Sequence, residues 1–149
     1  MIGDNSSINR SSPVQVGALT NWSQVSCAGD LHTVAVKTDG TMWSWGDAGS
    51  GRLGTNANAT IDKSSPVQIG ALTTWSQANA GAYHSAAVKT DGTIWSWGFN
   101  GEGTLGDNTT VDRSSPVQIG SLTTWSQVSG GTRFTTAVKT DGTLWAWGQ

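Results

Sequence analysis

A chain of 149 residues is long enough for one domain with a buried core, and 20 glycines, nine tryptophans and only 12% charged residues suit tightly turned β-structure better than helices. The net charge of −2 supplies no general attraction to nucleic acid or to an anionic membrane surface, so neither is expected as a partner. No run approaches the roughly 18 apolar residues of a membrane span, MIGDNSSINRSSP at the amino terminus lacks the apolar core of a signal peptide, and the lone Cys27 can form no disulfide within the chain. Localisation is left open by these features.

The chain reads as a single repeat domain, 1–149. Residues 1–20 hold SSPVQ at Ser11–Gln15, the expected outer strand of an incomplete blade, and units follow at 21–70, 71–120 and 121–149. Pro13, Pro66 and Pro116 mark the repeat, with steps of 53 and 50 residues, and Trp22, Trp75 and Trp125 keep the same steps. The second unit shows the order of elements. Pro66–Ile69 is a short apolar run opened by proline, as in an edge strand, and Gly70–Thr74 is a turn. Trp75–Ala80 reads as a strand, Gly81–Ala82 as a turn, and His84–Lys89 with Thr93–Trp97 as the arms of a hairpin. A Gly/Asn loop, Phe99–Thr110, returns to the next SSP.

The hairpin is spelled three times, as AVKTDGTMWSWG, AVKTDGTIWSWG and AVKTDGTLWAWG. Asp-Gly between apolar runs predicts a primed two-residue turn with positive φ at both central residues. The Trp-x-Trp spacing places Trp43 with Trp45, Trp95 with Trp97, and Trp145 with Trp147 on one face of each second arm. All six are expected in the core, packing blade on blade. Four antiparallel strands at this period predict an all-β protein built of β-propeller blades, about three of them.

The stretch WSQANAGAYHSAAVKTDGTIWSWGFNGEGTLGD, Trp75–Asp107, resembles the regulator of chromosome condensation (RCC1) repeat, and the likeness runs over nearly the whole chain. Repeat three departs from it with Arg133-Phe134, and repeat one with WGDAGSGRLG. The resemblance implies a propeller whose usual ring of about seven blades needs roughly 350 residues at this period. The chain starts and ends out of phase, with a first outer strand that lacks a blade and a last blade that lacks an outer strand. It is expected to be either a segment of a longer propeller or a self-associating half, two copies closing a six-bladed homodimeric ring with strands exchanged at both seams.

Nothing in the chain forms a catalytic set. His32 and His84 share one unit position that repeat three fills with Phe134, which points to packing, and Glu102 is the one glutamate. The Asp/Asn loop Asp107–Asp112 lacks the ligand alternation of a calcium motif. No enzyme activity, cofactor or metal is expected. In an up-and-down blade the first and third loops share one face of the disc, and variation between units is confined to that face. The first loop reads Asp30-Leu31, Ala82-Tyr83 and Thr132-Arg133, and the third reads Asp47–Arg52 against Phe99–Thr104. Leu31, Arg52, Tyr83, Phe99, Glu102 and Arg133 are therefore the candidate contacts for a protein partner. Family members range from exchange factors to chromatin binders, so the resemblance implies a non-catalytic interaction module without naming its client. The alternatives are a structural repeat segment of a larger surface or virion protein, or a carbohydrate-binding propeller using Trp. The near-identity of the units is similar to bacterial or phage versions of the family.

Overall fold

A computed structural model describes residues 1–29, 31–56 and 60–149. Among these, eleven strands form three antiparallel sheets. The first is β1 (Trp22–Ala28), β2 (His32–Lys37), β3 (Met42–Gly46) and β4 (Lys63–Gln68). The second is β5 (Trp75–Ala80), β6 (His84–Lys89), β7 (Ile94–Gly98) and β8 (Arg113–Gln118), and the third is β9 (Trp125–Gly130), β10 (Phe134–Lys139) and β11 (Leu144–Gly148). Strands pair in chain order within each sheet, so each sheet is an up-and-down blade and the chain is a partial propeller of three. The outer strand begins earlier than its proline suggests, at Lys63, and the second hairpin arm is displaced by one residue, to Ile94–Gly98. A single 3₁₀ turn, Gly49–Gly51, interrupts the β-structure. Residues 11–15 pair with no strand.

Blade two buries both of its faces, one against blade one and the other against blade three. Val34, Val36 and Met42, alternating on one face of blade one, pack against Trp75, Ala78, Ala87 and Trp97 on the facing side of blade two. Ala86, Val88 and Ile94 repeat the arrangement against Trp125, Val128 and Ala137 of blade three. Each large apolar side chain so buried contributes about 1.5–3 kcal/mol. Side chains of each first strand also reach across the joint. The backbone amides of Ala78 and Ala80 donate to Gln24 Oε1 (2.9 Å) and Ser26 Oγ (3.1 Å), and those of Val128 and Gly130 donate to Gln77 and Asn79.

The hairpin turn differs from the primed form expected of Asp-Gly. Only the glycine takes positive φ: Gly40 at 76°, Gly92 at 77° and Gly142 at 83°. Gly40 N–H donates to the Lys37 carbonyl (2.9 Å), and Lys37 N–H donates to the Thr41 carbonyl (2.9 Å), which is a tight turn followed by a glycine bulge. Asp39 keeps negative φ because its Oδ1 accepts from both Thr41 N–H (3.0 Å) and Thr41 Oγ1 (2.7 Å). The turn is also a joint between blades. The Gly40 carbonyl accepts the N–H of Trp75 (3.1 Å), and a Cβ on Gly40 would meet the Thr73 carbonyl oxygen at 2.1 Å. Gly92 has the same relation to Trp125 and Thr123. In blades one and two that contact leaves room only for glycine in KTDGT.

Candidate functional site

The first and third loops form a continuous ribbon along one face of the arc. Within a blade they are tied by the backbone: Asp47 N–H donates to the Leu31 carbonyl (2.7 Å), Phe99 to Tyr83 (2.9 Å) and Gln149 to Arg133 (3.0 Å). Between blades, side chains continue the ribbon. The Arg52 guanidinium lies 5.3 Å from the centre of the Tyr83 ring of blade two, which within that blade meets Phe99 edge-on at 6.3 Å. Arg133 pairs with Glu102 at 3.1 Å, with both side chains partly open to solvent. Tyr83, Phe99, Glu102 and Arg133 thus form one neighbourhood across blades two and three. Leu31 stands apart at the open side of blade one, beside Val25, His32 and Trp45. Asp30 lies outside the described residues.

Arg52 is placed differently from the other candidates. It is only 7% exposed, its Nε donates to the Gly49 carbonyl (2.8 Å), and its guanidinium lies 3.4 Å from Asp47. It holds the Tyr83 ring from beneath rather than presenting charge. Asn100, which the sequence reading passed over, organises the opposite half of the ribbon. Fully buried, it donates to Asp107 Oδ1 (2.9 Å) and the Thr109 carbonyl (3.0 Å) and accepts from Leu105 N–H (2.9 Å). Its signal was present: repeat one has Ala48 at this position. Burial raises the pKa of Asp107, but hydrogen bonds from Thr109, Arg113 and Asn100 outweigh it and bring the group to about 2.

Under the ribbon runs a polar chain from blade to blade. Ser85 Oγ donates to the Arg52 carbonyl (2.9 Å), so its remaining capacity accepts from His32 Nε2–H (2.7 Å). Thr135 does the same between the Thr104 carbonyl (2.9 Å) and His84 Nε2–H (2.9 Å). The tautomer is thereby assigned, and each Nδ1 is left buried without a partner. Burial pushes His84 down to about 4; for His32, burial first and then the Arg52 charge push it to about 3.

The hairpin tryptophans divide into two kinds. Trp45, Trp97 and Trp147 are each covered by a glycine of the preceding loop, Gly3, Gly54 and Gly106, where a Cβ would come within 2.7 Å of the indole nitrogen. Trp43, Trp95 and Trp145 each lie beneath a lysine, with Lys37, Lys89 and Lys139 Nζ at 3.7, 3.7 and 3.9 Å from the ring centres. Their indole N–H groups donate to Thr41, Thr93 and Thr143 (2.9 Å). Trp45 and Trp97 are buried, while Trp43, Trp95 and Trp147 are half-buried. Trp145, expected in the core, is instead 49% exposed, because β11 has no outer strand beside it as β7 has β8. Among the described residues no three His, Cys, Asp or Glu side chains gather in a metal-binding cluster.

The sequence pattern of the regulator of chromosome condensation (RCC1) repeat matches residues 39–88 and 91–138, and a second pattern of the same description matches 22–52 and 75–104. The chain belongs to the RCC1 repeat family. The RCC1 domain-containing protein RUG3, mitochondrial, of Arabidopsis thaliana is 35% identical over 105 residues, covering 70% of this chain and 23% of that protein. Human WBSCR16 superposes with a TM-score of 0.78 at 20% identity over 90% of this chain and 34% of that one. Prp20p of Saccharomyces cerevisiae gives 0.68 at 20% identity over 86% and 32%. At these identities the two structures establish the RCC1 propeller fold alone. The chain spans about a quarter of RUG3 and a third of each structural neighbour.

Proposed function

We propose that the chain is a non-catalytic interaction module that binds a protein partner through the loop ribbon centred on Tyr83, Phe99, Glu102 and Arg133. The observation that carries this reading is the placement of variation. The loops that differ between units lie side by side on one face and display two aromatic rings beside Arg133, residue types enriched where proteins dock. Prp20p, a structural neighbour, is described with binding properties towards Gsp1p and histones, which is in keeping with a propeller face serving a protein client. Carbohydrate binding by the tryptophans is disfavoured by the lysines, which occupy the indole faces that a sugar ring would need.

The test is affinity capture with the chain and with a Tyr83→Ala/Phe99→Ala variant, using Thr38→Ala on the opposite face as control. A protein captured by the parent and the control but lost by the double variant supports the reading. Capture unchanged by the double variant, or no captured protein at all, overturns it.

A further inference from the structure

At the joint between blades one and two, beside the outer strand β8, lies a cavity of about 190 Å³. Every residue that lines it falls between Gly54 and Pro116, with a four-stranded blade on either side. Trp75 and Trp95 line it, and their rings meet edge-on at 5.9 Å. Ile69, Leu72 and Pro116 add apolar surface, and Leu72, 48% exposed, marks where the cavity reaches solvent. The ribbon residues Tyr83, Phe99, Glu102 and Arg133 take no part in it.

The lining decides what chemistry can enter. Among the described residues no charged side chain lines the cavity. Thr55 borders it, at the loop position that Asp4 and Asp107 hold in the other two loops. Those carboxylates pair with Arg10 and Arg113 at 2.8 and 2.7 Å, whereas in this loop Lys63 stands in the arginine's place. This joint therefore has a neutral border where the matching loops carry an anion. A charged ligand would lose its water shell here with no counter-ion to replace it, so a neutral one is selected.

Trp75 adds direction. It is 3% exposed and its indole N–H has no partner among the described residues, while Trp95 donates to Thr93 at 2.9 Å. Trp22 and Trp125 share that unpartnered N–H, so the donor belongs to the unit and the neutral border to this joint. A buried donor without an acceptor is unfavourable, and an entering oxygen that accepts from it recovers the loss. Volume sets the size: an apolar cavity of about 150 Å³ accepts benzene, so this one accommodates a ring compound of about six to eight non-hydrogen atoms.

We infer that this cavity is a binding site for a neutral cyclic small molecule bearing one hydrogen-bond acceptor. Its ring lies against Trp75 and Trp95, its oxygen receives the Trp75 indole N–H, and Leu72 covers the entrance. The site is separate from the loop ribbon and does not depend on what the ribbon binds.

The experiment follows the nine indole N–H signals of the isotope-labelled chain, once assigned, during titration with cyclohexanone. The Trp75 signal is expected to move and saturate, and cyclohexanecarboxylate, a charged compound with the same ring, to leave it in place. Leu72→Asp changes an exposed side chain, and Ser115→Leu adds bulk to the lining. Each is expected to weaken cyclohexanone binding about tenfold, the equivalent of one lost apolar contact. Indole signals of blade three that keep their positions show that a variant is folded. A Trp75 signal that never saturates, that responds equally to the carboxylate, or that responds alike in the parent and in the folded variants overturns the inference.

Discussion

Trp97 of the second blade donates its indole N–H to the backbone carbonyl of Arg52 in the first, at 2.9 Å, and is fully buried while doing so. The same carbonyl accepts from Ser85, so one oxygen links the loop of blade one to two strands of blade two. Trp45 occupies the matching place in blade one, but its buried indole nitrogen has no partner among the described residues. Trp97→Phe is therefore expected to lower stability by about 1–3 kcal/mol through a lost bond and lost packing, and Trp45→Phe by distinctly less. Urea unfolding of the two variants gives the comparison.

The turn glycines give a second contrast. Gly92→Ala sets a positive-φ strain on top of a collision with the Thr123 carbonyl, whereas Gly142→Ala meets no atom within 4 Å and carries the strain alone. The Gly142 change is expected to cost about 1 kcal/mol and the Gly92 change several times that. Melting temperatures of the two variants should separate clearly.

Acid should unlock the polar chain before it reaches the carboxylates. The unfolded chain takes up protons on His32 and His84 near pH 6.5, while the folded chain refuses them until about 3 and 4. Both folded values are depressed, so the stability they confer is present in full above pH 6.5 and is lost as pH falls towards 4. At one unit per 1.4 kcal/mol, His84 accounts for roughly 3 kcal/mol across that window. His84→Phe, the residue that blade three uses, should be less stable at neutral pH yet show a flatter decline between pH 6.5 and 4. Chemical denaturation at a series of pH values measures both effects.

The ion pair on the ribbon should matter for recognition and little for folding. Both Glu102 and Arg133 lie at the surface and partly open to solvent, so Glu102→Ala is expected to change unfolding free energy by less than about 1 kcal/mol. Loss of captured partner with that small stability change is the expected pattern, read from denaturation and affinity capture on the same preparation.

The blades were legible because the residues that make them are local signals. Gly after Asp, proline within the outer strand and the Trp-x-Trp alternation each act within a few residues. What escaped the sequence were contacts made one unit away. Arg52 belongs to a variable loop and read as exposed, yet Tyr83 and Ser85 of the next blade close over it. Asp39 was expected at positive φ from the dipeptide alone, but its carboxylate is committed to Thr41, and the glycine is instead fixed by Thr73. The lysines over Trp43, Trp95 and Trp145 were invisible for a related reason: their partners lie across the hairpin, and composition ranks Lys as a solvent residue.

The Gly40–Trp75 joint has a consequence for how such a chain changes in length. Its atoms recur one unit later as Gly92 and Trp125, so copying a whole unit in frame recreates the same backbone bond at each new joint. Deleting a unit likewise leaves matching surfaces in contact. Growth and shrinkage by unit thus keep the backbone joint, and substitutions in the loop ribbon are free to set each new blade apart from its parent.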